Sequence, residues 1–274
     1  IEAAGVHTWI VAKIEHPVAL DHLDEILDSC NAVMVARGDL GVEIPLEEVP
    51  IAQQRIIDGA LERGMPVIVA TQMLETMTVN PRPTRAEVSD ISTAIRQGAT
   101  GVMLSGETAS GKYPLEAVQT MAKIAQSTEQ GLDSSQVKPE TVRRFKATRA
   151  VAHAGVELAK MVNASRILVA SQRGNAPRLV SANRPGIPII AVTSTIATAR
   201  KVQLLPGVDS LVVEEMERGS KTMQSAIAQL VASKEISAGD KVVAISGSPQ
   251  AISGVTSTAR LYAVSQEGKI VGAE

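Results

Sequence analysis

Within the first 130 residues, four short apolar runs rich in Val, Ile or Met are each followed by a polar cluster and then by a longer segment with helical periodicity. Repeated strand–helix units of this kind give parallel strands, because a parallel pairing needs a crossover that returns the chain to the same end of the sheet. The runs at 8–12, 32–35, 67–70 and 101–104 are the strand candidates, and helices are predicted over about 18–28, 47–63, 85–96 and 115–130. Gly64 and Gly98 stand where two of these helices should stop, and Pro114 suits the first turn of the last. The unusual polar residues gather in the loops after the strands, which places one chemical face at the strand C-termini. Four units make either half of an eight-stranded barrel or a smaller open sheet. The text at Ile1 reads as a helix running into a strand, so the other half of a barrel is expected upstream of it.

From 133 to 144 the apolar pattern lapses into Ser, Gln, Lys, Pro and Glu, a composition that reads as a linker between a first domain at 1–132 and a second at 145–274. Beyond it, a helix over 148–162 leads into strands near 167–170, 189–192, 210–213 and 242–245 with helices between, as in a Rossmann-like three-layer α/β domain. A last strand at 261–264 follows a Gly-, Ser- and Thr-bearing loop too short for a crossover helix, and is therefore expected antiparallel to its neighbour.

Composition narrows the function classes. Hydrophobic residues are 45% of the chain and charged residues 20%, which supports packed cores and excludes the disordered and fibrous classes. With 27 basic and 29 acidic residues there is no global field that draws in nucleic acid or an anionic membrane, so any anion is captured locally. Aromatic residues are 1%, too few for platforms that stack bare nucleobases. The single cysteine, Cys30, has no internal partner and no metal-ligand spacing beside it, which fits a reducing, cytoplasmic setting. No apolar run nears the roughly 20 residues that span a bilayer, and neither a membrane nor a secretory route is expected.

The chemistry lies at the strand ends. Alternation along an extended chain sends Lys13 and Glu15 to the same side, which reads either as a rim salt bridge or as a cation and an anion in one site. After the second run, Arg37-Gly38-Asp39 precedes a Gly-bearing turn, so Asp39 is expected near Glu15. Two carboxylates on adjacent strand ends make a hard-oxygen site suited to Mg2+, while the backbone N–H groups of Gly38 and Asp39, just before a turn or short helix, suit a substrate carboxylate. The same segment also reads as an ordinary Gly-Asp turn. Thr71 puts a hydroxyl at the rim after the third run, and Thr84 with Glu87 has the spacing of a capping box. The fourth run ends Ser105-Gly106-Glu107, with a second Gly and a further carboxylate.

In this order, KIE at 13–15, MVARGDLG at 34–41, ATQMLETM at 70–77, PRPTRAE at 81–87 and LSGETASG at 104–111 resemble the pyruvate kinase family. The resemblance is dense from 11 to about 130 and thinner to 264, through RPGIPIIAVT at 184–193. It implies the second half of a TIM-type (β/α)8 catalytic barrel followed by a C-terminal α/β domain, the latter regulatory. It further implies phosphoryl transfer from phosphoenolpyruvate to ADP, giving pyruvate and ATP in glycolysis, with Mg2+ and K+. Carried over residue by residue, Lys13 neutralises the phosphoryl group, Glu15 and Asp39 hold Mg2+, and Gly38, Asp39 and Thr71 hold the substrate carboxylate. Thr71 also lies on the face where the proton arrives. The K+ ligands, most nucleotide contacts and the lid domain have no counterpart in this sequence, so the chain alone is expected to be inactive.

The resemblance also implies a homotetramer, with 81–87 and the helix after it at one subunit contact. An allosteric, phosphorylated effector is implied for the loop at Ser171, Arg173 and Gly174, although that loop departs from the hydroxyl-rich turn of many relatives. A second loop, 246–258, offers further N–H and OH donors. A second departure is His16-Pro17, where the family generally has Asn after KIE. Two other readings stay open at this level: a Mg2+-dependent enolate aldolase or lyase of the same barrel type, and a non-catalytic regulatory binding remnant.

Overall fold

The computed structural model describes residues 8–132, 146–216, 220–247, 256–265 and 269–272. The chain divides into two compact units, Ile1–Asp133 and Ser134–Glu274. The stretch expected as a linker, 133–144, lies outside the described residues.

In the first unit β1 (Val11–Ile14), β2 (Ala32–Ala36), β3 (Val67–Ala70) and β4 (Gly101–Met103) form one parallel sheet in the order β1-β2-β3-β4. Sequential order with every strand parallel is the order of a barrel wall. The register pairs Ile14 with Val35, Ala36 with Ala70, and Ala70 with Met103. Residues that follow the four strands therefore emerge along one edge of the sheet.

The crossovers are α1 (Pro17–Asp21), α2 (Leu23–Ser29), α3 (Arg37–Glu43), α4 (Val49–Leu61), α5 (Arg85–Arg96), α6 (Gly106–Ala109) and α7 (Pro114–Gln130). Ile14, Val33, Val35, Val67 and Val69 of the strands share one core with Leu27 of α2, Ile56 and Ile57 of α4, Ile91 of α5 and Met121 of α7. A fully buried Leu, Ile or Val contributes about 1.5–3 kcal/mol relative to exposure, so this helix-on-sheet layer is the main force holding the strand ends in register.

Several local expectations shift. The first strand runs Val11–Ile14 rather than 8–12, which leaves Glu15 just past its end. The single helix expected over 18–28 divides at His22, whose φ of −105° and ψ of 26° are not helical. Of the turn or short helix open at Gly38 and Asp39, the structure has the short helix, α3, which begins directly after β2 and includes both residues. The capping box at the start of α5 forms as the spacing predicts, with Thr84 and Glu87 satisfying each other's backbone N–H. Gly64 and Gly98, at φ 58° and 106°, end α4 and α5 in the left-handed region that glycine tolerates.

The second unit begins with α8 (Lys146–Met161) and carries β5 (Arg166–Ala170), α9 (Asn175–Ser181), β6 (Ile189–Thr193), α10 (Ile196–Val202) and β7 (Val208–Val212). It continues with α11 (Lys221–Ala232), β8 (Lys241–Ser246), β9 (Thr258–Val264) and β10 (Ile270–Gly272). The sheet order is β10-β9-β8-β5-β6-β7. Strand β9 is antiparallel to β8, as expected, and β10, which the periodicity did not reveal, extends the sheet antiparallel to β9. Residues alternate between two cores: Ile167 and Val169 pack with Val156 of α8, Leu179 of α9 and Val202 of α10, while Leu168 packs with Ile227 and Leu230 of α11. Helices on both faces make this unit a three-layer α/β domain. Among the described residues no helix is long and apolar enough to cross a membrane.

Candidate active site

The edge where β1, β2 and β3 end brings together three of the predicted residues. The Lys13 ammonium makes ion pairs with both Glu15 and Asp39, the latter at 2.7 Å. All three side chains are about half exposed, at 48%, 45% and 55%, so the cluster faces solvent. Alternation on β1 puts Lys13 and Glu15 on one side, and the pairing of β1 with β2 brings Asp39, in the first turn of α3, to meet them. Hydrogen bonds that the ammonium donates to Asp39 first and Glu15 second push the Lys13 pKa up to about 12, and the same ammonium holds the Asp39 carboxylate below its ordinary range.

Glu15 and Asp39 are the residues here that could hold Mg2+, since both are hard oxygen donors converging on one cation. A site with two protein carboxylates and the remaining positions supplied by water or substrate is the usual form for Mg2+.

Thr71 lies at the end of β3 and takes φ 71°, followed by Gln72 at φ 54°. Its hydroxyl accepts from the Gly38 amide at 2.8 Å and donates to the Ala70 carbonyl at 2.6 Å. The Gly38 N–H read from sequence as a donor for a substrate carboxylate thus has a partner within the protein. Gly38 also admits this approach sterically, since a Cβ there would stand 3.3 Å from the Thr71 hydroxyl.

Two residues that the sequence named within strand-end motifs without giving them a role hold this loop. Arg37, with only 10% of its side chain exposed, donates to the Thr71 carbonyl at 2.6 Å and pairs with Asp90 at 2.6 Å. Glu107, 1% exposed, accepts from the Leu74 amide at 3.0 Å and the Ser105 amide at 2.7 Å, which joins the loops after β3 and β4. The signal was a charged residue inside a Gly-bearing strand-end motif, but its burial is a property of the fold. Farther along, Glu87 accepts from the Thr76 amide and hydroxyl as well as capping α5. Partial burial raises its pKa, yet these bonds prevail and leave it lowered.

In the second unit Ser171 and Gly174 are tied to each other: the Gly174 amide donates to the Ser171 hydroxyl at 2.9 Å, and Gly174 at φ 85° caps α9. Arg173 between them is exposed. Of the loop expected at 246–258, residues 248–255 lie outside the described ones.

Family models for the pyruvate kinase barrel domain and the pyruvate kinase alpha/beta domain match residues 1–118 and 149–262 respectively. The chain belongs to the pyruvate kinase family. It is 43% identical over 265 residues to pyruvate kinase 2 of Synechocystis sp., across 96% of this chain and 44% of that protein. To the pyruvate kinase of Geobacillus stearothermophilus it is 41% identical over 267 residues, across 95% of this chain and 45% of the relative. The crystal structure of a pyruvate kinase from Cryptosporidium parvum superposes with a TM-score of 0.86 at 33% identity, covering 94% of this chain and 52% of that one. The chain therefore spans about half the length of the curated pyruvate kinases it matches, and its first unit matches the family's barrel domain.

Proposed function

We propose that this chain supplies the Lys13, Glu15, Asp39 and Thr71 side of a pyruvate kinase active site, which transfers the phosphoryl group of phosphoenolpyruvate to ADP. The observation that carries this reading is the meeting of Lys13, Glu15 and Asp39 at the C-terminal ends of adjacent parallel strands, the catalytic edge of a TIM-type barrel. In the reaction the bond from phosphorus to the enol oxygen breaks, a bond to an ADP oxygen forms, and the enolate left behind takes a proton to become pyruvate.

Lys13 places a fixed positive charge where the phosphoryl group passes, a task of electrostatics and positioning. A lysine ammonium at its ordinary pKa is already protonated throughout the physiological range. Glu15 and Asp39 would hold Mg2+, whose charge when bound favours oxygen anions developing nearby. Gly38, Asp39 and Thr71 would hold the substrate carboxylate, the Gly38 N–H leaving the Thr71 hydroxyl for the ligand and that hydroxyl turning to it from the Ala70 carbonyl. A threonine hydroxyl is a weak acid, so its part in protonation is to orient a water.

The activity belongs to an assembled barrel to which this chain contributes four strands, with K+, the nucleotide and the lid engaged elsewhere. A cytoplasmic glycolytic setting, a homotetramer, and an anionic effector at Arg173 beside Ser171 and Gly174 complete the reading. Only Arg173 offers an exposed charge there, which supports a generic phosphate more than a shaped sugar pocket.

The test separates two half-reactions in the intact enzyme. Lys13→Met should abolish phosphoryl transfer yet leave metal-dependent exchange of the methyl protons of pyruvate measurable, whereas Asp39→Ala should suppress both. If Lys13→Met stops proton exchange as completely as Asp39→Ala does, Lys13 acts on the enolate and the division of roles is wrong.

A further inference from the structure

The geometry points to Lys13 as the resident counter-cation of the Glu15–Asp39 pair, with a divalent cation entering only by exchange with its ammonium, an inference that rests on reading that pair as the metal ligands. One ammonium lies on both carboxylates. No other cationic side chain pairs with either among the described residues: Arg37 is committed to Asp90, and His16 faces Glu43 at 3.6 Å. Two carboxylates brought this close repel unless a cation stands between them, and the ammonium meets that requirement with three N–H donors.

The ammonium contacts one oxygen of each carboxylate, and a divalent ion on both carboxylates would stand directly beside it. Two cations held that close repel, so seating the divalent ion drives the ammonium off. Lys13 is half exposed on a flexible stem, so it can leave without disturbing the core. Exchange thereby links two events that a static site would leave independent: seating the cation frees the lysine. The lysine becomes available to a phosphoryl group only once the carboxylates have another partner, and an enzyme without metal holds its own phosphoryl-binding charge in check.

Mn2+ is the probe, titrated into the full chain with neither nucleotide nor substrate, with free Mn2+ followed by its paramagnetic signal. Lys13→Met should tighten Mn2+ binding on the order of tenfold, the scale of two exposed ion pairs removed from competition. Lys13→Arg, which can still fork both carboxylates, should bind much as the parent does. Independently, the rate at which an amine reagent modifies Lys13 in the unaltered chain, read by peptide mass spectrometry, should rise severalfold when Mn2+ is added. Unchanged or weaker Mn2+ binding by Lys13→Met overturns the exchange, as does labelling of Lys13 that is unchanged or slowed while Mn2+ is bound. If Glu15→Gln and Asp39→Asn leave Mn2+ binding as it was, the pair is not the metal site and both the exchange and the metal assignment fall.

Discussion

The Gly38 amide donates to the Thr71 hydroxyl at 2.8 Å, joining the start of α3 to the end of β3 beside the ion-paired cluster. Thr71 makes this contact from φ 71°, a region where a β-branched residue is an outlier and pays of order 1–3 kcal/mol in strain. Arg37 holds the strained turn through the Thr71 carbonyl. Strain that persists at a strand end beside a reactive cluster is the pattern expected where a hydroxyl must point in one direction.

That strain can be separated from function. Thr71→Ala removes the hydroxyl and keeps a Cβ at positive φ, whereas Thr71→Gly removes both. The Gly variant should be the more stable of the two by about 1 kcal/mol in denaturant titration. Both should lose proton exchange on the order of 10²-fold if the hydroxyl orients the proton-bearing water. Equal stability of the two variants would show that the backbone at Thr71 is relaxed.

Glu107 offers a second test. Each of its oxygens accepts a backbone N–H from a different strand-end loop, and removal leaves buried donors without partners. Glu107→Gln should cost about 1–3 kcal/mol and Glu107→Ala more, because Gln retains one acceptor and Ala none. Hydrogen exchange at the Leu74 and Ser105 amides should speed up in both variants. Protection at those two amides equal to that of the parent would remove Glu107 from this role.

Glu87 predicts a pH dependence whose sign follows from its lowered pKa. Burial opposes ionisation, but hydrogen bonds from Thr76 and Thr84 outweigh it. A carboxylate held below its unfolded value of 4.5 contributes stability that is present above that pH and lost as pH falls through the folded value. Denaturation midpoints measured from pH 7 down to 3 should therefore decline less steeply for Glu87→Gln than for the parent, with the variant less stable at pH 7. Parallel curves for the two proteins would show that Glu87 gains nothing from its four donors.

Local chemistry was legible in the sequence alone. The Val- and Ile-rich runs named the strands, the Thr84 to Glu87 spacing named the capping box, and Gly64 and Gly98 named two helix ends, because each depends on neighbours a few residues apart. Alternation also placed Lys13 and Glu15 on one side, and the order of the motifs gave the family. The break at His22 and the edge strand β10 were not legible, since packing decides them against weak local preference. The site divides in the same way. Residue types announced a cation and two carboxylates, but only the β1–β2 register set Asp39 on the same ammonium as Glu15. Only the β2–β3 register brought the Gly38 amide to Thr71, and only burial between two loops turned Glu107 from a surface-like acid into a structural acceptor. A sequence fixes what each side chain can do within one turn of chain, whereas partners that lie 26 or 33 residues apart, as Lys13 and Asp39 or Gly38 and Thr71 do, meet only after hydrophobic packing has set the strand register.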